Sequence, residues 1–335
     1  MAILEIAPLS FPWQTQDPFL FCVHHLDIYP PGNRDFGPAT SLAGRNIGQD
    51  FTIKDGWRMY HGQRVPGFPA HPHRGFETVT IARQGYIDHS DSLGAAGRFG
   101  NGDVQWMTAG KGVQHCEMFP LIHTDKSNPT ELFQIWLNLP KSKKSAEPYF
   151  SMLWAETIPE IVIQDENQVQ SLVRLIAGRF QNQSAPQPNP DSWAANPENH
   201  VNIWTIQTGP NGKFIIPSAT AGINRTLYFY EGDKVIIGDK SILPGYMIRL
   251  KADETVPLQN GSAVGKFLLL EGRPIHEPVV QYGPFVVNSQ QEIQETYAEF
   301  RRTQFGGWPW PSYENVHKDA TGRFAKYPDG RVITP

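Results

Sequence analysis

The chain has 335 residues, enough for two domains that each bury a core of their own. Charged residues make up 19% of it, and 29 Lys and Arg against 33 Asp and Glu leave a formal charge of −4. That balance excludes a protein built mainly to grip nucleic acid or an anionic membrane, which takes clustered Lys and Arg, and two cysteines exclude a disulfide framework.

Residues 1–12 lack the basic start and long apolar run of a signal peptide, and no run reaches the ~18 apolar residues that span a bilayer. The expectation is a cytoplasmic protein whose Cys22 and Cys116 stay reduced. Gly and Pro, 30 and 29 in number, cut the chain into apolar stretches of about 4–8 residues. In the first half these are Thr78 to Ala82, Val104 to Met107 and Leu132 to Leu137. The segment from Pro140 to Pro159 reads as a connection between halves, with the basic run Lys141, Lys143 and Lys144 solvated. The region Gln181 to Asn199, rich in Asn, Gln, Ser and Pro, is expected as a long surface loop.

Beyond it come Val201 to Ile206, Lys213 to Ile216, Thr226 to Tyr230, Lys234 to Ile237, Tyr246 to Leu250 and Gly265 to Leu270. Turn formers such as Glu231-Gly232-Asp233 separate them, too closely for βαβ crossover helices, and the fold class is an all-β sandwich or barrel. One helix is predicted. Ser289-Gln290-Gln291-Glu292 fits a capping box, Ile293, Tyr297 and Phe300 share one face, and Gly306-Gly307 ends the run. Its role is packing. The tail after Phe305 is predicted to lack regular structure, with Trp308 and Trp310 on the surface.

The chemistry gathers in two stretches. In His71-Pro72-His73-Arg74-Gly75-Phe76-Glu77, strand alternation sends His71 and His73 to one side, close enough to share an ion, while Pro72 suits a strand edge or entry. In Gly110-Lys111-Gly112-Val113-Gln114-His115-Cys116-Glu117, His115 and Glu117 repeat that spacing and Cys116 faces away. One His-x-His is ordinary among 11 histidines, whereas two dyads on facing strands would give three nitrogens and one carboxylate to a single cation. Glu77 rivals Glu117 as the carboxylate ligand. The remaining histidines (His24, His25, His61, His89, His123, His200, His276, His317) read as hydrogen-bonded loop or surface residues. The second half carries no His-x-His pair, so no second metal site is expected. Phe68 reads equally as an aromatic wall of the site or as core.

The run His71-Pro72-His73-Arg74-Gly75-Phe76-Glu77-Thr78-Val79-Thr80, with Gly102 to His115, resembles the signature of the pirin family of the cupin superfamily. The resemblance continues through Gln134-Ile135-Trp136-Leu137-Asn138-Leu139-Pro140 and resumes from Glu277-Pro278-Val279-Val280 to Asn288. Residues from about Pro31 to Gly62 look like an insertion, and the tail after Phe305 also departs from the pattern. The resemblance implies a bicupin, two antiparallel β-barrels with metal only in the N-terminal one. The chain is then expected to divide into a metal-binding cupin domain over 1–145, a metal-free cupin domain with the C-terminal packing helix over 146–305 and a tail over 306–335. It implies His71, His73, His115 and Glu117 as metal ligands, and that Glu77 is not one. The metal is expected to be Fe(II), with Zn, Ni, Cu and Mn compatible with the same donors.

Some pirins resemble quercetinases, which implies a quercetin 2,3-dioxygenase type of oxidoreductase. Its partners would be a small aromatic substrate and O₂, with no direct nucleic-acid or membrane partner, and Glu117 would be the catalytic base that takes the flavonol proton. The alternative implied by other pirins is a redox-sensitive regulator that binds a transcription factor or a metabolic enzyme, with turnover incidental. A structural Zn site without turnover is a third reading; it predicts closed four-coordinate geometry.

Overall fold

Apolar runs of about 4–8 residues bounded by Gly and Pro are too short for helices and long enough to cross a sheet. In the computed structural model, which describes residues 2–335, each apolar run named above lies in a strand or overruns it by one residue. The chain folds as two compact units that alternate along the sequence. One holds residues 2–23, 136–138 and 156–276, and the other holds 24–135, 139–155 and 277–335.

The first unit is built on a seven-stranded sheet, in the order Ile3–Pro8, Tyr246–Leu250, Asn224–Glu231, Gly265–Gly272, Asn202–Thr208, Gln170–Ala177 and Glu160–Gln164. A four-stranded sheet accompanies it, from Lys213–Ile216 through Val256–Asn260 and Val235–Ile237 to Lys240–Ile242. Every pairing given for these strands is antiparallel. Trp204, Phe214, Leu227, Phe229, Phe267 and Leu269 fill its core.

The second unit carries the histidine dyads. Its six-stranded sheet runs Val332–Ile333, Phe324–Lys326, Ala96–Gly100, Tyr86–Asp91, Val113–Met118 and Gly67–His73. Most of a five-stranded sheet belongs to it, in the order Tyr149–Leu153, Val104–Thr108, Phe76–Gln84, Asn128–Asn138 and Phe19–Tyr29, with residues 136–138 and 19–23 of the last two strands counted in the first unit. Among the described residues no helix is long and apolar enough to cross a membrane.

Long-range pairing moves several expected boundaries. The strand Ile3–Pro8 pairs with Tyr246–Leu250, and Phe324–Lys326 pairs with Ala96–Gly100, so the division differs from 1–145, 146–305 and 306–335. The tail therefore holds strands. Residues 140–159 are more than a connection, because Tyr149–Leu153 pairs with Val104–Thr108. Lys144 is buried, its Nζ donating to the Gly75 carbonyl at 2.7 Å, while Lys141 and Lys143 are exposed as expected. The segment 31–62 sends Trp57, Met59 and Tyr60 into the core of the histidine unit. Residues 181–199 form mostly loop, with short 3-10 turns at Trp193–Ala195 and Pro197–Asn199.

The helix spans Gln290–Thr303 behind Ser289, and both halves of the capping box form. Its end is set by Gln304, which takes a left-handed conformation three residues short of Gly307. Trp308 and Trp310 are half-buried rather than exposed. Removing the Ser289 hydroxyl leaves the Glu292 amide without its partner, so Ser289→Ala should destabilise the protein by about 1 kcal/mol. Denaturant unfolding followed by circular dichroism checks this; an unchanged midpoint would mean that the cap carries no weight.

Candidate metal centre

The two dyads stand on neighbouring strands. Gly67–His73 is the edge of its sheet, which accommodates the missing N–H of Pro72, and it pairs antiparallel with Val113–Met118 so that His71 lies opposite His115. The register slips between Phe68 and His71, a bulge just ahead of the dyad. Gly75 turns the chain out of this strand with φ +85°, and a Cβ there would collide with the Val286 carbonyl oxygen.

Three imidazoles converge. Ring centroids of His71, His73 and His115 lie 4.5–4.8 Å apart, and one nitrogen from each falls within 4.8 Å of the others. The Nδ1 of His71 meets the Pro69 carbonyl at 2.8 Å, and that of His73 meets the Pro284 carbonyl at 3.4 Å. A carbonyl only accepts, so both Nδ1 atoms carry the proton and both Nε2 atoms present lone pairs. Those two Nε2 atoms face each other at 3.1 Å. His115 is fully buried, and neither of its ring nitrogens has a hydrogen-bond partner. Facing lone pairs beside an unsatisfied buried imidazole fit a cation, which would satisfy all three rings at once.

Glu117 is buried on the same strand face as His115, its carboxylate 3.9 Å from His115 Nε2. Thr80 donates to Oε1 at 2.9 Å and Gln134 to Oε2 at 2.5 Å. Burial pushes the carboxyl above its ordinary range, while the charge of His89 and these two donors pull the other way. Glu77 is engaged elsewhere, accepting from Thr108 at 2.6 Å and from Trp106 at 3.1 Å. Phe68 packs on Tyr60, with ring centroids 5.1 Å apart, and also lies 6.4 Å from the His71 ring.

The sequence alone marks neither Thr80 nor Gln134 as a site residue, and it reads His89 as a loop or surface residue. His89 is instead fully buried on Tyr86–Asp91, opposite Glu117 in register and 5.6 Å from the His115 ring. Asp91 and Gln105 flank its two nitrogens at 3.3 and 3.2 Å, and Phe150 stacks on it. The alternation His89-x-Asp91 was the one signal available, hidden in a polar run. His25 is also buried, bonded to Tyr60 at 2.7 Å.

Burial lowers the pKa of all three converging histidines, that of His71 to about 4 and those of His73 and His115 well below their ordinary value. Neutral rings are the form that offers lone pairs to a metal.

Residues 38–137 match the family model described as Pirin, and residues 203–306 the one described as Pirin C-terminal cupin domain. Much of the segment read as an insertion thus lies within the matched residues. A Pseudomonas aeruginosa protein named "Putative quercetin 2,3-dioxygenase" is 36% identical over 239 residues, 71% of this chain and 79% of its own. Pirin-1 of Arabidopsis thaliana is 35% identical over 245 residues, 72% of this chain and 78% of its own. The crystal structure of quercetin 2,3-dioxygenase from Acinetobacter baumannii superposes with a TM-score of 0.70 at 28% identity, covering 91% of this chain and 98% of that one.

Burial disfavours the charged imidazolium in the folded chain but not in the unfolded one, so the unfolded state binds more protons as the pH falls. The stability of metal-free protein is therefore full above the ordinary histidine pKa of 6.5 and is lost as the pH falls through about 4. The urea midpoint of chelator-treated protein should fall between about pH 7 and pH 5, and His73→Phe should flatten that slope. A flat profile in the unmutated protein would mean that the rings are solvated.

Proposed function

The chain belongs to the pirin family, and from that premise we propose that it is a metal-dependent dioxygenase acting on a flavonol such as quercetin, with iron held by His71, His73, His115 and Glu117. The reading rests on the facing Nε2 atoms of His71 and His73 beside the unsatisfied ring of His115. The names of the Pseudomonas and Acinetobacter relatives supply the substrate class. Among metals, nitrogen and carboxylate donors with open positions suit Fe(II), and the same donors accept Zn, Ni, Cu or Mn.

An ion held by these four residues would supply Lewis-acid chemistry toward a substrate hydroxyl and a site for O₂. The protein's own part is orientation and proton transfer. The neutral imidazoles of His71, His73 and His115 present their lone pairs inward from two strands whose register fixes their spacing. Glu117 is the base: its carboxylate accepts the flavonol hydroxyl proton. Thr80 and Gln134 keep it ionised and aimed, and burial raises its appetite for that proton. Each carboxylate oxygen accepts one of these donors and keeps a further lone pair free for a ligand or a proton.

The test is oxygen uptake with quercetin by iron-loaded protein. His73→Ala should lose both metal and uptake. Glu117→Gln protein that still holds iron should be slower by about 10²–10⁴, the usual worth of a well-placed base. No uptake by iron-loaded unmutated protein would overturn the enzymatic reading, and an unmutated rate in iron-bound Glu117→Gln would remove the base.

A further inference from the structure

Of the two strands that carry the dyads, Gly67–His73 is half-buried along most of its length, whereas Val113–Met118 is covered on both faces. In Val113–Met118 every residue is buried: His115 and Glu117 point one way, Cys116 and Met118 the other. The outer pair packs with Val65 and Ala70 against Trp308 and Val316, so the covering comes from the tail.

The tail does more than cover. Asn315, itself buried, receives the Cys116 thiol on its backbone carbonyl at 3.7 Å and donates its side-chain amide to Ser90 at 2.8 Å. Ser90 and Cys116 are register partners, flanked by the pairs Asp91–His115 and His89–Glu117. One residue thus ties two strands together at the rung between the histidine and the glutamate. Around it, Trp310 donates its indole N–H to the Asp91 carbonyl at 2.8 Å. His317 donates its amide to the Asp88 carboxylate, and its ring Nε2 donates to the His89 carbonyl, both at 2.8 Å. At the bulge before His71, the strand register leaves the Ala70 amide over, and the Tyr313 carbonyl accepts it at 2.8 Å.

We propose that residues 308–317 are a positioning strap for the metal centre, holding Gly67–His73, Tyr86–Asp91 and Val113–Met118 at the spacing that lets His71, His73, His115 and Glu117 meet one ion. Asn315 is its central positioning residue. The proposal rests on the metal-centre reading above and adds to it a segment that lies beyond both family matches, which end at residues 137 and 306. A covered outer face alone would contribute stability. A strap bonded at the rungs between the inward side chains also fixes how far apart those side chains stand, and partners behind first ligands commonly carry 10–100-fold in metal affinity.

Full-length protein loaded with Co(II) tests this, with the visible ligand-field band and the rate of Co(II) release to a chelator as readouts. Asn315→Ala is expected to alter the band and speed release about tenfold, and Trp310→Phe, which removes the indole N–H and trims the ring while leaving an aromatic side chain, to speed it by less. Lys318→Ala lies just past the strap, where the side chain pairs with exposed Asp35, and it should leave both readouts unchanged. If Asn315→Ala does not fold, Trp310→Phe carries the test. Unmutated bands and release rates in the two strap variants, while His73→Ala binds no Co(II), would overturn the strap alone, however far their melting temperatures fall. His73→Ala protein that binds Co(II) as the unmutated chain does would overturn the metal centre and the strap together.

Discussion

Two lone pairs that face each other across 3.1 Å govern the histidine unit. With each Nδ1 proton committed to a carbonyl, His71 and His73 have only Nε2 left, and without a cation those atoms repel. The surrounding structure denies the rings their simplest escape, which is to splay. Pro72 stiffens the residue between them, and the Pro284 carbonyl holds the far side of His73. His115, directly across the strand pair, closes the third side. The backbone thus keeps an arrangement that is costly without a positive charge and stabilising with one.

The two units share an antiparallel two-sheet plan and differ in what fills them. Trp204, Phe214, Leu227 and Phe267 close the interior of the first unit with apolar side chains. The histidine unit buries Thr80, His89, Gln105, His115 and Glu117, groups that cost free energy to desolvate unless each finds a partner. Thr80 finds Glu117 and Gln105 finds His89, whereas His115 finds none within the chain. Among the described residues the one cluster able to hold a metal lies here. The capacity for chemistry follows the filling of the barrel, and the strand plan serves both fillings equally.

What could be read from the sequence was what is local. The dyads were legible because alternation along a strand needs no knowledge of distant residues, and the helix start because Ser289 and Glu292 sit three apart. The strand Tyr86–Asp91 escapes a local reading. Its run Tyr-Ile-Asp-His-Ser-Asp looks like a loop until Arg98 pairs with Asp88 at 2.7 Å and Asp91 flanks His89. Lys144 reads as solvated for the same reason, its carbonyl acceptor lying far off in sequence at Gly75. Both unit boundaries depend on which edge accepts a terminal strand, Tyr246–Leu250 at one end of the chain and Ala96–Gly100 at the other, and no local pattern carries that choice.

Burial on both faces also explains how a thiol can sit between His115 and Glu117 without competing for the ion. A slip of one residue along Val113–Met118 would turn Gln114 and Cys116 inward and push a histidine and a carboxylate into the apolar layer behind. Either exchange strands a polar group, so the register is enforced from both sides. Held outward, the Cys116 thiol is pushed up to about 12 by burial and stays protonated at neutral pH. A protonated thiol is a poor ligand and a poor nucleophile. Alternation separates the soft donor from the hard ones by less than the width of a strand, and the packing behind the strand keeps them apart.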